Sequence, residues 1–170
     1  MKSGQSKMIT TDSPNLVNEM SKLKVKLIHP AAKLPTRMTR GSGGLDLYAV
    51  QEVKIPPTHC SLDGCAEVGR GLVPIGIEIE LPRGTIGKIA SRSGLSINAN
   101  IEVGAGWIDS DYRGPLVVEL KNLSSKPYRV RQGQRIAQIV ILRFVDVEIE
   151  LAKRLAKTER GPSGFGSTDL

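Results

Sequence analysis

The residues best equipped for chemistry stand together in GAGWIDSDYRG, residues 104–114. Gly104 and Gly106 precede Asp109, and a second carboxylate (Asp111), an aromatic (Tyr112) and a cation (Arg113) follow within four residues. Asp109 has the chemistry of a general base, and Tyr112 offers a flat apolar face with a polar tip. The two glycines carry no Cβ, which permits a sharp turn or a close approach of backbone to ligand. Taken alone, the same residues read equally as an acidic turn on a hydrophobic strand.

Three further stretches bear on that choice. In SRSGLS, Arg92 supplies a planar fork of donors, Ser93 a hydroxyl and Gly94 an open backbone N–H, a combination suited to phosphate oxygens or to a plain surface turn. Gln138 interrupts the apolar run RIAQIVIL, where its amide needs a partner in the backbone or in a ligand. The tail RGPSGFGSTDL places Phe165 among Gly164, Gly166, Ser167 and Thr168, although the chain has only three Tyr, two Phe and one Trp. An aromatic there has no local core to join. Stacking on a flat ligand accounts for it, with Arg160 and the small residues as phosphate donors; a flexible tag with one exposed ring is the alternative.

Positioning such groups requires a scaffold, and the hydrophobic pattern specifies one. The chain has 170 residues, 39% of them hydrophobic, enough for a single domain with its own core. LKVKLI from Leu23, LDLYAV from Leu45, IGIEIEL at 75–81, TIGKIA at 85–90, PLVVEL, YRVRQ, RIAQIVIL and FVDVEIEL at 144–151 alternate or run apolar over strand lengths. About eight short strands spaced near ten residues, with SRSGLSINAN a short helical or irregular turn too brief for a real helix, predict an all-β fold: a distorted jelly-roll barrel or sandwich with little helix. The expected organisation is a disordered basic and polar arm over 1–21, a β domain over 22–158 and a flexible Gly-rich lid over 159–170.

Charge and cysteine content narrow the function classes. Of the net +7, residues 1–40 carry +6, with eight Lys or Arg against two acids. No aromatics interleave this basic region and no DNA-binding motif appears, so no specific nucleic-acid binding is expected. The sequence has no membrane-spanning run and MKSGQSKMIT lacks a signal-peptide core, which predicts a cytoplasmic or nuclear protein. Cys60 and Cys65 flank a loop beside His59, too few ligands for a structural zinc site without a fourth from elsewhere.

The stretches GLDLYAV, SRSGLS, GAGWIDSDYRG, GQRIAQI and RGPSGFGST resemble, in order, the five motifs of the trimeric dUTP pyrophosphatases (dUTPases), and the similarity runs from about Leu23 to the C-terminus. The resemblance implies a homotrimer of jelly-roll subunits that hydrolyses dUTP to dUMP and pyrophosphate with Mg²⁺, at active sites between subunits. It implies that Asp109 activates the water attacking the α-phosphorus and that Tyr112 packs under the deoxyribose. A hairpin spanning Val103, Gly104, Gly106 and Ile108 would read uracil, while Arg92, Ser93, Gly94 and Gln138 hold phosphates. Phe165 would stack on uracil, and Arg160, Gly166, Ser167 and Thr168 would hold the distal phosphates. Asp46 would act near the metal through water, the ion being held mainly by the substrate.

Departures from the family pattern are specific. Leu45 stands where an aromatic is common, Ser91 where a proline usually precedes Arg92, Trp107 where a small aliphatic residue is usual and Gln134 where aspartate is usual; Pro162 and Ser163 stiffen the lid. If the strand is extended, Trp107 and Asp109 share a face, so the indole either crowds the pocket or forms its wall. Two rivals remain at this stage. One is a dCTP deaminase, for which no separate acid/base carboxylate is evident; the other is a regulatory module of the same fold that senses nucleotide.

Overall fold

The computed structural model describes residues 21–61, 64 and 66–162. The expectations for the arm over 1–20, for Cys65 and for Phe165, Gly166, Ser167 and Thr168 fall outside the described residues.

Among the described residues, thirteen strands and one helix follow in order: β1 Lys24–Leu27, β2 Leu45–Tyr48, β3 Val53–Ile55, β4 His59–Cys60, β5 Ala66–Glu67, β6 Gly69–Pro74, β7 Ile77–Glu80, β8 Thr85–Ala90, α1 Ser93–Ala99, β9 Ile101–Val103, β10 Trp107–Ile108, β11 Val117–Asn122, β12 Tyr128–Val130 and β13 Arg135–Arg143. A four-stranded sheet has the order β10-β8-β13-β2 and a three-stranded sheet the order β6-β11-β9. Two-stranded ribbons β1-β7, β12-β3 and β4-β5 complete the described strands, all antiparallel. These sheets do not close into a barrel, and the architecture is jelly-roll-like and almost wholly β.

Period-two alternation does the structural work. In β8 every second residue (Thr85, Gly87, Ile89) is buried, and β7 and β11 follow the same rhythm. Their inward residues meet Leu47, Ile75, Leu116, Ile136 and Ile139, each at most 1% exposed, in one core. Burying such a side chain contributes about 1.5–3 kcal/mol. The turn after β11 is held by Asn122, whose amide donates to the carbonyls of Pro56 and Lys126 at 3.0 and 2.8 Å while its oxygen accepts from the N–H of Ser124 at 3.0 Å.

Three expectations are corrected. The stretch after Ser91 does form a helix, α1, seven residues long, closed by Asn100 in the left-handed region at φ 52°. The run FVDVEIEL forms no strand: 144–151 has no ladder partner among the described residues, and Ile149 and Leu151 are 94% and 97% exposed. The loop-like cysteine stretch begins and ends in the small ribbon β4-β5, with Cys60 exposed and free.

Candidate active site

Sheet register brings three of the sequence motifs to one place. Gln138 on β13 lies opposite Asp46 on β2 and, across its other edge, opposite Ala90 at the end of β8. Ala90 leads directly into Ser91, Arg92, Ser93 and Gly94, so the central strand β13 fixes the spacing between Asp46 and the Arg92 turn. Together Asp46, Arg92, Ser93, Gly94 and Gln138 line a cavity of ≈190 Å³. The interior amide of Gln138 donates to the carbonyl of Ser91 at 3.1 Å. Gly44 answers the need for close approach here: a Cβ on it would stand 2.2 Å from Gln138 Oε1.

Asp46, 7% exposed, is the anionic centre of this cavity. Arg92 Nε donates to Oδ1 at 3.1 Å and Arg135 Nη1 donates to Oδ2 at 3.0 Å. A second arm of Arg92, Nη1, reaches the carbonyl of Arg135 at 3.0 Å. The guanidinium is therefore fixed by two partners, with donors left over for a ligand. Arg135 was not singled out from sequence; as the residue opening an apolar strand it carries no local signal, and only the register reveals its role.

The stretch containing Asp109 is built differently. Val103 and Trp107 do not form a hairpin, contrary to the expectation from the family resemblance. β9 belongs to the three-stranded sheet and β10 to the four-stranded one, so Gly104, Ala105 and Gly106 carry the chain between sheets. Glu119 on β11 pins this crossing: its carbonyl accepts from Gly104 N at 3.0 Å and its Oε2 from Ala105 N at 2.7 Å. On the other side Gly106 O accepts from Ile89 N at 2.7 Å. Glu119 was missed because its signal is a partner 14 residues away, not a motif.

Beyond the crossing, Trp107, Ile108, Asp109, Tyr112, Pro115 and Val117 line a second cavity of ≈250 Å³. The backbone turns back at Asp109, whose carbonyl accepts from Tyr112 N at 3.2 Å, and Arg113 Nη1 clasps the carbonyls of Ser110 and Tyr112 at 2.8 and 2.9 Å. The Tyr112 hydroxyl donates to Pro115 O at 3.0 Å, leaving the ring as a wall. The Asp109 carboxylate is exposed and makes no hydrogen bond or ion pair among the described residues. Trp107, 59% exposed, lines the same cavity as Asp109 and lies under Lys88 Nζ at 4.6 Å from the ring centroid. It is thus a wall at the rim, held by its cross-strand neighbour.

The two cavities share no lining residue. Gln134, where the family usually has aspartate, holds the turn entering β13: Oε1 accepts from Arg131 N at 2.9 Å and Nε2 donates to Tyr128 Oη at 2.6 Å. Arg160 is described and has an interaction partner, but the lid residues that follow Pro162 are not described. No helix among the described residues is long and apolar enough to cross a membrane.

Comparison with known proteins adds to this geometry. A profile of the family described as dUTPase matches residues 31–169. The deoxyuridine 5'-triphosphate nucleotidohydrolase of Yarrowia lipolytica is 41% identical over 150 residues, covering 87% of this chain and 89% of that protein. The enzyme of the same name from Helicobacter pylori is 42% identical over 88% of this chain and 97% of its own. Among solved structures, a Staphylococcus bacteriophage 80alpha dUTPase with dUPNHPP superposes with a TM-score of 0.77 at 25% identity, covering 88% of this chain and 99% of that one. A phage phi11 dUTPase variant, described as showing the coordination of a structural Mg(II) ion, shares the fold with a TM-score of 0.69 at 21% identity.

Proposed function

This chain belongs to the dUTPase family, and on that footing we propose that it hydrolyses dUTP to dUMP and pyrophosphate at sites completed by neighbouring subunits of a homotrimer. The observation that carries the assignment of roles is the contrast between two carboxylates. Asp46 has both oxygens engaged by guanidinium groups, whereas Asp109 is exposed, unpaired among the described residues and beside the Tyr112 ring. A carboxylate with both oxygens committed to guanidinium groups is poorly placed to hold an attacking water. One facing solvent beside the Tyr112 ring has both oxygens available for it.

In this reading Asp109 holds a water by hydrogen bond and takes its proton as the oxygen attacks the α-phosphorus. Arg92, Ser93, Gly94 and Gln138 bind the phosphates, with donors aimed where charge grows in the transition state. The Tyr112 ring packs beneath the deoxyribose. Backbone groups from Val103 to Ile108 read uracil, and a close wall there rejects thymine's methyl group. Phe165 stacks on the base, while Arg160, Gly166, Ser167 and Thr168 close over the distal phosphates and exclude water.

Among the described residues no three His, Cys, Asp or Glu side chains could together hold an ion. Asp46 is the one carboxylate lining the Arg92 cavity, a donor set that fits Mg²⁺ arriving on the substrate's phosphates rather than a resident ion. Bound that way, Mg²⁺ would offset phosphate charge, and Asp46 would touch it through water with the lone pairs its arginines leave. The product supplies dUMP for thymidylate synthesis while dUTP is lowered.

Pyrophosphate release measured with dUTP, dTTP, dCTP and UTP tests the proposal. Turnover of dUTP alone, abolished by a chelator and without ammonia release from dCTP, is the expected result. Ammonia from dCTP would identify a deaminase, and tight dUTP binding without turnover would identify the regulatory module.

A further inference from the structure

Ser91 stands between β8 and the Arg92 turn, and its contacts differ in kind from those a proline could make there. It follows β8, and its carbonyl accepts from Gln138 Nε2 at 3.1 Å. Its hydroxyl spans the gap to the other sheet: Oγ accepts from Val103 N–H at 2.9 Å and donates to Glu102 Oε2 at 2.5 Å. Val103 lies on β9, the edge strand of its sheet, where Glu119 on β11 takes the next amide, that of Gly104. The amide of Val103 therefore points away from β11, and Ser91 supplies the acceptor that a neighbouring strand would otherwise provide.

We propose that Ser91 is a positioning residue that ties the phosphate-binding turn to the uracil-reading backbone, its hydroxyl oriented by the carboxylate of Glu102. A hydroxyl has one proton and two lone pairs. Committing the proton to Glu102 turns the lone pairs toward Val103 N–H, so the carboxylate sets the direction of the bond. Glu102 is itself steadied by a second hydroxyl, that of Ser96 on α1. The bond from Ser91, with that from Ser96, holds the Glu102 carboxyl below the ordinary carboxylate range. Ser91 thus joins three pieces: β13 through its carbonyl and Gln138, the Arg92 turn that follows it in the chain, and, through its hydroxyl, the segment entering the Gly104–Gly106 crossing. The inference rests on the dUTPase reading, because it assigns Ser91 an effect on base discrimination.

The test is steady-state kinetics of Ser91→Ala, Ser91→Thr and Ser96→Ala with dUTP and dTTP. Losing the acceptor loosens the wall against the base rather than the proton transfer. Ser91→Ala is therefore expected to raise KM for dUTP roughly 10-fold with kcat within about 3-fold, and to lower the kcat/KM preference for dUTP over dTTP roughly 10-fold. Ser91→Thr, which keeps the hydroxyl, is expected to restore the preference. Ser96→Ala, which removes a bond to the same carboxylate but none to Val103, is expected to keep it. Should Ser91→Ala not fold, Ser91→Cys keeps the volume with a much weaker acceptor and is expected to show the same loss. An active wild type whose Ser91→Ala or Ser91→Cys variant retains KM and preference overturns the inference, as does equal loss in Ser96→Ala. A wild type that does not hydrolyse dUTP overturns instead the functional reading beneath it.

Discussion

Two arginines divide the oxygens of Asp46, at 3.1 Å for Arg92 and 3.0 Å for Arg135. With the carboxylate nearly buried and its partners about a third exposed, the triad is worth more than a surface pair and less than a fully buried one. Replacing Asp46 by Asn leaves two guanidinium groups facing each other without their anion. A loss of about 1–3 kcal/mol of stability in urea titration is expected, together with a higher KM for dUTP as Arg92 loses its anchor. Unchanged stability would mean the arginines find other partners. At this scale the sequence singled out Asp109, Tyr112 and Gln138 as candidates because their chemistry was unusual for their setting, and Asp46 only through the family resemblance. Arg135, Glu119 and Glu102 were not, because an arginine or glutamate on a strand is ordinary until its neighbour across the sheet is known.

Among the elements, the crossing between β9 and β10 depends most on backbone fit. A Cβ on Gly106 would come within 2.5 Å of the Ile89 carbonyl oxygen, the backbone neighbour that β8 contributes. That oxygen belongs to a paired strand and cannot retreat as a side-chain tip would. Gly106→Ala is expected to destabilise the fold by about 1–3 kcal/mol and to cut dUTP turnover. A thermal scan showing no shift would contradict the tight approach. The strands that alternate in sequence and have a neighbour, such as β7, β8 and β11, were readable from period alone. The helix α1 was not: Arg92 gives it no side-chain cap, and contact of Leu95 and Ala99 with the core supports a segment with little intrinsic reason to be helical. The stretch 144–151 failed in the opposite direction. Its alternation is real, but a ladder needs a partner, and the rest of the described chain offers none.

For the whole molecule, that unpartnered stretch and the separation of the cavities point the same way. Val145, Val147, Ile149 and Leu151 are all largely exposed, an apolar row that a second copy of the chain could cover. Asp109 and Tyr112 line one cavity, and Arg92, Ser93, Gly94 and Gln138 another, with no residue in common. A site that needs both sets, on a chain that keeps them apart, supports assembly in which one subunit presents its Asp109 to the phosphate-binding turn of the next. The most direct measurement mixes two variants, Asp109→Asn and Arg92→Gln, each purified as the assembled protein and expected to be nearly inactive alone. After unfolding and refolding together in equal amounts, about a quarter of the sites in a cyclic trimer would pair an intact Asp109 with an intact Arg92 from the neighbour. Recovery of dUTP hydrolysis toward that fraction is the expected result; mixed trimers that stay as inactive as their parents would contradict a shared active site.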